Sequence, residues 1–324
     1  MNYSFDAIVF KSPGSESPAK LGEALNEQAF AGQFGNYDEK KSLGKSRHLS
    51  AATRLLSSTA LKLTEHEDIA LSVNARPHQV GVYIACENIN LEDDFEFDLC
   101  AKNYGPDYVS PLKAPNTLAN AVGSHFARFV GIKGPNCTVS AGRLSVFQAL
   151  DAAMMHLDNG SVEKAIVGAV EVVSPYHSRL SVPGREIAVA SALRRGHLED
   201  TVVFYPPIIR MAVNHEASIA QSVSELARRN LGGKPIDEIW VSGQRLLNQE
   251  RLLQKLQDAG LHPHLIVFSE EHFDGECANG LLLAALAEEK LTEAASADDA
   301  QQRAIVILEL DDHGQFSLLL MEGR

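Results

Sequence analysis

Four cysteines, Cys86, Cys100, Cys137 and Cys277, are the side chains of this sequence best suited to nucleophilic or metal chemistry, and they lie far apart along the chain. None forms a Cys-x-x-Cys pair, so their spacing offers neither a structural zinc site nor a disulfide framework. Each reads first as a small buried hydrophobe. A reactive thiol needs an electropositive, partly exposed setting such as a helix N-terminus, where unsatisfied N–H groups favour a thiolate. One turn of that kind is visible at Ala141-Gly142-Arg143, between a short strand over Cys137 to Ser140 and a helix running to Asp158. Cys137 lies within the strand, before the turn, and the turn itself carries an arginine. A guanidinium stays protonated and cannot attack a carbonyl. At a helix N-terminus it is repelled, so Arg143 must swing away or find a carboxylate. Among the histidines, His125 sits on a helix as a core-edge residue, and His262 and His264 alternate before a strand with no closed ligand set nearby.

The elements that must position these residues alternate between short apolar strands and amphipathic helices, the pattern of an α/β protein with sheets covered on both faces. Phe5 to Phe10 and Gln79 to Ala85 are expected strands, with a helix over Ser50 to Leu63 between them, N-capped by Ser50. Later come a strand at Val202 to Phe204, a helix over Glu216 to Asn230 and a strand at Glu238 to Ser242. A helix over Gln249 to Ala259 stops at Gly260, and Leu265 to Phe268 is a further strand. An apolar helix over Asn279 to Glu289 precedes a hairpin of Ala304 to Leu310 with Phe316 to Met321. Asn88 to Phe97 is acidic and expected to be mobile, and the polar run Leu291 to Arg303 is expected to be a solvated loop.

With 324 residues, 45% hydrophobic and 22% charged, the chain has the composition of an ordinary globular protein. Its net charge of −13 argues against nucleic acid as a partner. No apolar run reaches the length of a membrane span, and the first residues lack the basic start of a signal peptide, so a cytoplasmic location is expected.

The stretch from Ser110 to Glu171 resembles the heart of a β-ketoacyl synthase. Its landmarks fall in order without gaps: Pro115-Asn116, a helix through Gly131, Gly134-Pro135, the strand and turn described above, a long helix, and a strand from Val167 closing on Glu171. The resemblance implies a thiolase-like, five-layered αβαβα fold made of two duplicated halves, expected over residues 1–175 and 176–324. It also places Arg143 where the family carries its catalytic cysteine. Two histidines assist that cysteine in the family, and their positions match Ser242, in Val241-Ser242-Gly243, and Asp274, in Phe273-Asp274-Gly275. His272 would approach the second position only after a small slip.

A ketosynthase fold without its nucleophile or its histidines is similar to a chain-length factor, the silent partner of a cysteine-bearing β-ketoacyl synthase. Among such subunits the short chain and its arginine resemble that of aryl polyene synthesis. The resemblance implies no catalytic residue, cofactor or metal in this chain. It implies a heterodimer in which acyl carrier protein docks mainly on the partner, with Arg194-Arg195 and Arg228-Arg229 as the basic candidates on this subunit. Pro111, Pro115, Asn116, Thr117, Cys137 and Thr138 are expected at an interface of more than about 2,000 Å². Leu112 and Lys113 are expected to cross to the floor of the partner's acyl tunnel as a gate. Arg143 is expected to be neutralised by Glu271, Asp274 or Glu276. Two other readings stay open: an acyl-binding scaffold without a role in elongation, and a self-sufficient thiolase-fold acyltransferase using Cys137, Cys277 or His272.

Overall fold

A computed structural model describes residues 1–11, 48–180, 186–197, 199–212, 214–243, 247–268, 276–295 and 303–324. Strand β1 (Tyr3–Lys11) opens the fold, and α1 (Ala51–Ala60) follows with the Ser50 hydroxyl accepting from the Thr53 N–H, as the N-cap pattern predicts. Next come α2 (Glu67–Ala75), β2 (Val80–Cys86) and α3 (Leu91–Tyr104). Helix α4 (Ala121–Val130) ends on Gly131 in the left-handed conformation and leads to β3 (Asn136–Val139). Then follow α5 (Ser145–Asp158), β4 (Lys164–Glu171), the short α6 (Pro175–Leu180), β5 (Ile187–Arg195), β6 (Val202–Phe204) and β7 (Ile208–Met211). The last part holds α7 (His215–Asn230), β8 (Glu238–Ser242), α8 (Gln249–Asp258), β9 (Leu265–Phe268), α9 (Asn279–Ala295), β10 (Ala304–Leu310) and β11 (Gln315–Gly323).

The strand order is β3-β2-β4-β5-β1-β6-β11-β10-β8-β9, with β7 attached to β11. Read inward from each edge, the two runs are β3-β2-β4-β5-β1 and β9-β8-β10-β11-β6. Their pairings match in direction: the first three strands of each run are parallel, and the fourth and fifth are antiparallel additions. The runs meet at a single paired position, Tyr3 with Phe204.

Three cores separate five layers. The central core holds α5 and α9 between the inner faces of the two runs, with Phe147, Leu150 and Met154 from one helix and Leu281, Leu282 and Leu286 from the other. A second core packs α1 and α4 onto β2, β4 and β5, and a third packs α7 and α8 onto β8, β10 and β11. The first turns of α9 are apolar on every side because that part of the helix is enclosed on every side: Leu281 to Ala284 are all buried. The thiolase-like α/β architecture is thus present.

Three expectations change. The acidic run at 88–97 is no mobile loop, since most of it forms the start of α3, whose first turn carries Glu92, Asp93 and Asp94 where a helix N-terminus favours negative charge. Helix α9 continues through Ala295, so Leu291 to Ala295 are helical and the rest of that stretch up to residue 302 lies outside the described residues; Leu291 is buried against the core. The stretch from Tyr176 to Arg210 contains three strands, of which only β6 follows from its local pattern. Strand β5 was missed because it is buried throughout its first seven residues and so lacks the alternation that marks a half-exposed strand.

Candidate functional site

The strand-to-helix turn is built by local chemistry. Gly142 adopts φ +65, a conformation that L side chains rarely adopt. The Ser145 hydroxyl donates to the Gly142 carbonyl at 2.6 Å and accepts from the Ala141 N–H at 2.8 Å, locking the elbow ahead of α5. Upstream, Gly134 lets the chain pass against β2: a Cβ there would stand 2.2 Å from the Val80 carbonyl oxygen. The Val82 N–H then bonds the Pro135 carbonyl at 2.8 Å, and β3 pairs in register with β2 from Asn136 with Val82 to Val139 with Ala85. That framework fixes where the residue after Gly142 points.

Arg143 points inward and finds a carboxylate. Its Nη2 lies 3.2 Å from Glu276 Oε2, and only 10% and 9% of the two side chains are exposed. Glu276 belongs to the single turn of 3₁₀ helix just before α9, in the other half of the chain, and takes the left-handed φ of +50. The bridge therefore joins the elbows at the N-termini of the two central helices. Glu87, after β2, sits across the same turn, with carboxylate oxygens 3.8 and 3.9 Å from the place a Gly142 Cβ would occupy. Burial raises the Glu87 pKa, the guanidinium of Arg143 pulls it down, and Asp312 pushes it up.

Behind this pair lies a buried acid. Glu171, at the end of β4 and 3% exposed, is held well above the usual carboxylate range first by burial and then by Glu87 and Glu276, against hydrogen bonds from Cys277. Cys277 is wholly enclosed, and burial together with Glu171 pushes its thiol far up. Burial likewise pushes Cys86 up to about 12. Neither sulfur has the electropositive surroundings that make a thiolate. Cys137 lies half-buried in β3, before the elbow.

Ser242, at the end of β8, is fully buried. Its hydroxyl accepts from Asn279 Nδ2 at 3.0 Å and reaches Glu309 Oε1 at 3.4 Å. Among the described residues this group includes no imidazole, and Asn279 and Glu309, which join it, gave no sequence signal. Asp274, Glu271 and His272 lie outside the described residues. His125 is half-buried, its pKa lowered by burial and by the neighbouring Arg128 and His48. No group of three or more His, Cys, Asp or Glu side chains suited to a metal ion occurs among the described residues.

The segment expected at the interface is mixed in exposure. Pro111, Leu112, Lys113 and Pro115 are exposed, Thr117 and Thr138 are half-buried, and Asn116 is buried, donating from Nδ2 to the His48 carbonyl at 2.8 Å and to Asp93 at 3.3 Å. Asn116 thus secures the segment from within rather than offering a free surface. Lys113 Nζ lies 3.5 Å from Glu96. Of the basic pairs, Arg194 is already committed: it bonds Asp6 and Asp200 at 2.7 Å each, and these contacts raise its pKa. Arg195 lies 3.5 Å from Asp158. Arg228 and Arg229 stay exposed in the last turn of α7.

No helix among the described residues is long and apolar enough to cross a membrane. Among curated proteins, none matches the chain by sequence. Solved structures match it over nearly its whole length. A type II polyketide synthase acyl carrier protein in complex with its ketosynthase bound to a hexaketide superimposes with a TM-score of 0.78 at 14% identity, covering 100% of this chain and 99% of that one. The ishigamide ketosynthase/chain length factor gives 0.70 at 16% identity, covering 99% of each chain. An oxazolomycin ketosynthase domain from Streptomyces albus gives 0.75 at 13% identity, covering 100% of this chain and 76% of that one. At such identities the likeness is one of fold. A sequence model of the β-ketoacyl synthase N-terminal domain matches residues 11–184, more than half of the chain, and the protein therefore belongs to the β-ketoacyl synthase family.

Proposed function

We propose that this chain is a catalytically silent, chain-length-factor-like partner of a cysteine-bearing β-ketoacyl synthase. In this reading it shapes the acyl tunnel while the pair extends an acyl carrier protein-bound polyketide, polyene or fatty acyl chain, aryl polyene among the products. The proposed halves are residues 1–175 and 176–324, with β5 of the second stretch returning to pair with β4 and β1 of the first. The observation that carries the reading is the buried ion pair of Arg143 with Glu276 at the elbow, the position that the resemblance matches to the family's nucleophile. Ser242 takes the first histidine position and has neither a charge nor an imidazole to offer a developing enolate. One solved neighbour is a ketosynthase/chain length factor.

A second line of support is the distribution of exposed apolar side chains. Leu99, Tyr104, Tyr108, Leu112, Leu118 and Phe129 fall within about thirty residues around the expected interface. Helix α3 carries Leu91, Phe95, Phe97 and Leu99, yet none of its residues is buried. Among the described residues, strand β3 is an edge strand, bonded only to β2. A ketosynthase covering this face would bury the apolar side chains and pair the open edge. The self-sufficient reading is weakened, among its candidates Cys137, Cys277 and His272, by the raised thiol of Cys277.

The experiment is reconstitution. Co-expressed with a cysteine-bearing ketosynthase from the same genome, the chain should purify as a stoichiometric heterodimer, and extended product should require both subunits. Alone, neither the chain nor its Arg143→Cys variant should form an acyl-enzyme from acyl thioester, because Ser242 and Asp274 stand at the positions that the resemblance matches to the assisting histidines. A stable monomer beside its ketosynthase, or turnover by the isolated chain, would overturn the proposal.

The gate prediction belongs to the same assembly. Leu112 and Lys113 are exposed, as a segment reaching toward a partner would need. A rigid conjugated chain cannot fold away from an obstruction. Leu112→Trp or Lys113→Phe should therefore shorten the product or stall elongation with the heterodimer intact, and Leu112→Ala should lengthen it. Mass spectrometry reads the result; an unchanged length distribution in all three variants would place the gate elsewhere.

A further inference from the structure

Helix α5 belongs to the central layer, yet one stripe of it is uncovered. Gln148, Asp151 and Ala152 are half-buried, Met155 is 62% exposed, and spacings of three and four residues set them on one face. The packing fixes where that face looks. Helix α5 runs beneath β2 with β3 and β4 on its flanks, and its buried side chains, Phe147, Leu150 and Met154 among them, turn toward the sheets and α9. Helix α9 packs mainly against β10 and β11, on the inner side. The uncovered stripe therefore looks outward beneath the edge strand β3, where the half-buried Cys137, Val139 and Ala152 form the rim of the central core.

Asp151 is the one charge in that stripe. Among the described residues no hydrogen bond or ion pair holds its carboxylate, and burial raises its pKa with no cation to oppose the shift. Arg195, the cation at the far end of the helix, lies 3.5 Å from Asp158 instead. A half-buried carboxylate without a partner is tolerable while water still reaches it. Once a subunit pairs with β3 and covers the flank, that water is lost, and an uncompensated charge among Cys137, Ala152 and Met155 would oppose association strongly.

Resting on the heterodimer proposed above, we infer that Asp151 selects the partner, receiving an arginine or lysine side chain of the ketosynthase on the open flank of α5 beneath β3. A second copy of this chain is the wrong occupant. Two-fold pairing through β3 would bring up the same stripe of α5, Gln148, Asp151, Ala152 and Met155, which holds no cation. The carboxylate thus works against self-association as well as for a basic partner, the two halves of specificity.

Carboxyl-¹³C labelling of aspartate tests this on the chain alone and in its complex with a cysteine-bearing ketosynthase, with the Asp151 signal assigned by its loss in Asp151→Asn. In the isolated chain it should titrate above the ordinary aspartate range, as burial without a cation dictates. In the complex it should titrate below that range, because an adjacent cation favours the charged form. Asp151→Asn should leave the melting temperature of the isolated chain within a few degrees of the parent and weaken the complex at least about tenfold, chiefly through faster dissociation. A complex in which Asp151 titrates as in the free chain or higher would overturn this inference alone, as would an Asp151→Asn variant of unchanged affinity. Failure of any complex to form would overturn it together with the proposed function.

Discussion

Replacing Arg143 with methionine should lower the stability of the isolated chain by about 3–5 kcal/mol at neutral pH, the usual cost of breaking a buried ion pair from one side. The side chain is similar in length and apolar, so the loss comes from what it leaves behind: Glu276, 9% exposed, loses the guanidinium 3.2 Å away, and Glu87 loses a group that pulls its pKa down. The double variant Arg143→Met, Glu276→Leu should recover most of the loss, because a buried pair replaced on both sides by apolar groups is often neutral. The pH dependence has a definite sign. Glu87 and Glu171 already have raised pKa values in the folded state, so each binds its proton more tightly folded than unfolded. Such groups favour the folded state fully below their unfolded pKa, and that contribution is lost as pH rises through the folded value. Removing Arg143 pushes Glu87 further up. The gap between the wild type and Arg143→Met should therefore widen from pH 5 to pH 8 and shrink on acidification. Denaturant titrations across that range measure it; a constant gap, or a variant as stable as the parent at pH 8, would mean that the arginine contributes nothing to the elbow.

A second large effect is expected at the exposed apolar face. Leu112 and Leu118 are 69% and 58% exposed, so aspartate at both positions should leave the isolated chain folded, with a melting temperature within a few degrees of the parent. In the complex those same aspartates would be desolvated among apolar groups. Each would cost several kcal/mol, enough to weaken the heterodimer more than about a hundredfold. Size-exclusion chromatography of the co-expressed subunits reads this directly. Unchanged co-elution with ketosynthase would move the interface away from residues 99–129, and with it the gate at Leu112 and Lys113.

The family's central motif was legible because it is local. Gly134-Pro135, the glycine of the elbow and the apolar helix behind it are dictated by close backbone approach, a positive φ and burial on several sides, each of which constrains residue types within a few positions. The same locality made Arg143 readable as a residue that could not be a nucleophile and would need a carboxylate. Which carboxylate was decided by the tertiary structure alone. Glu87, Glu171 and Glu276 come from three separate strand ends and turns, and only the packing of α5 beside α9 brings Glu276 to 3.2 Å from the guanidinium. Strand β5 and the Ser242, Asn279 and Glu309 group were hidden for a related reason: full burial removes the alternation that reveals a strand, and hydrogen bonds between residues up to 67 positions apart leave no spacing to read. Charge was the other casualty of reading along the chain. Arg194 looks like a docking cation in sequence, but the fold lays β1 against β5 and hands it to Asp6, because antiparallel pairing places side chains distant in sequence on one face.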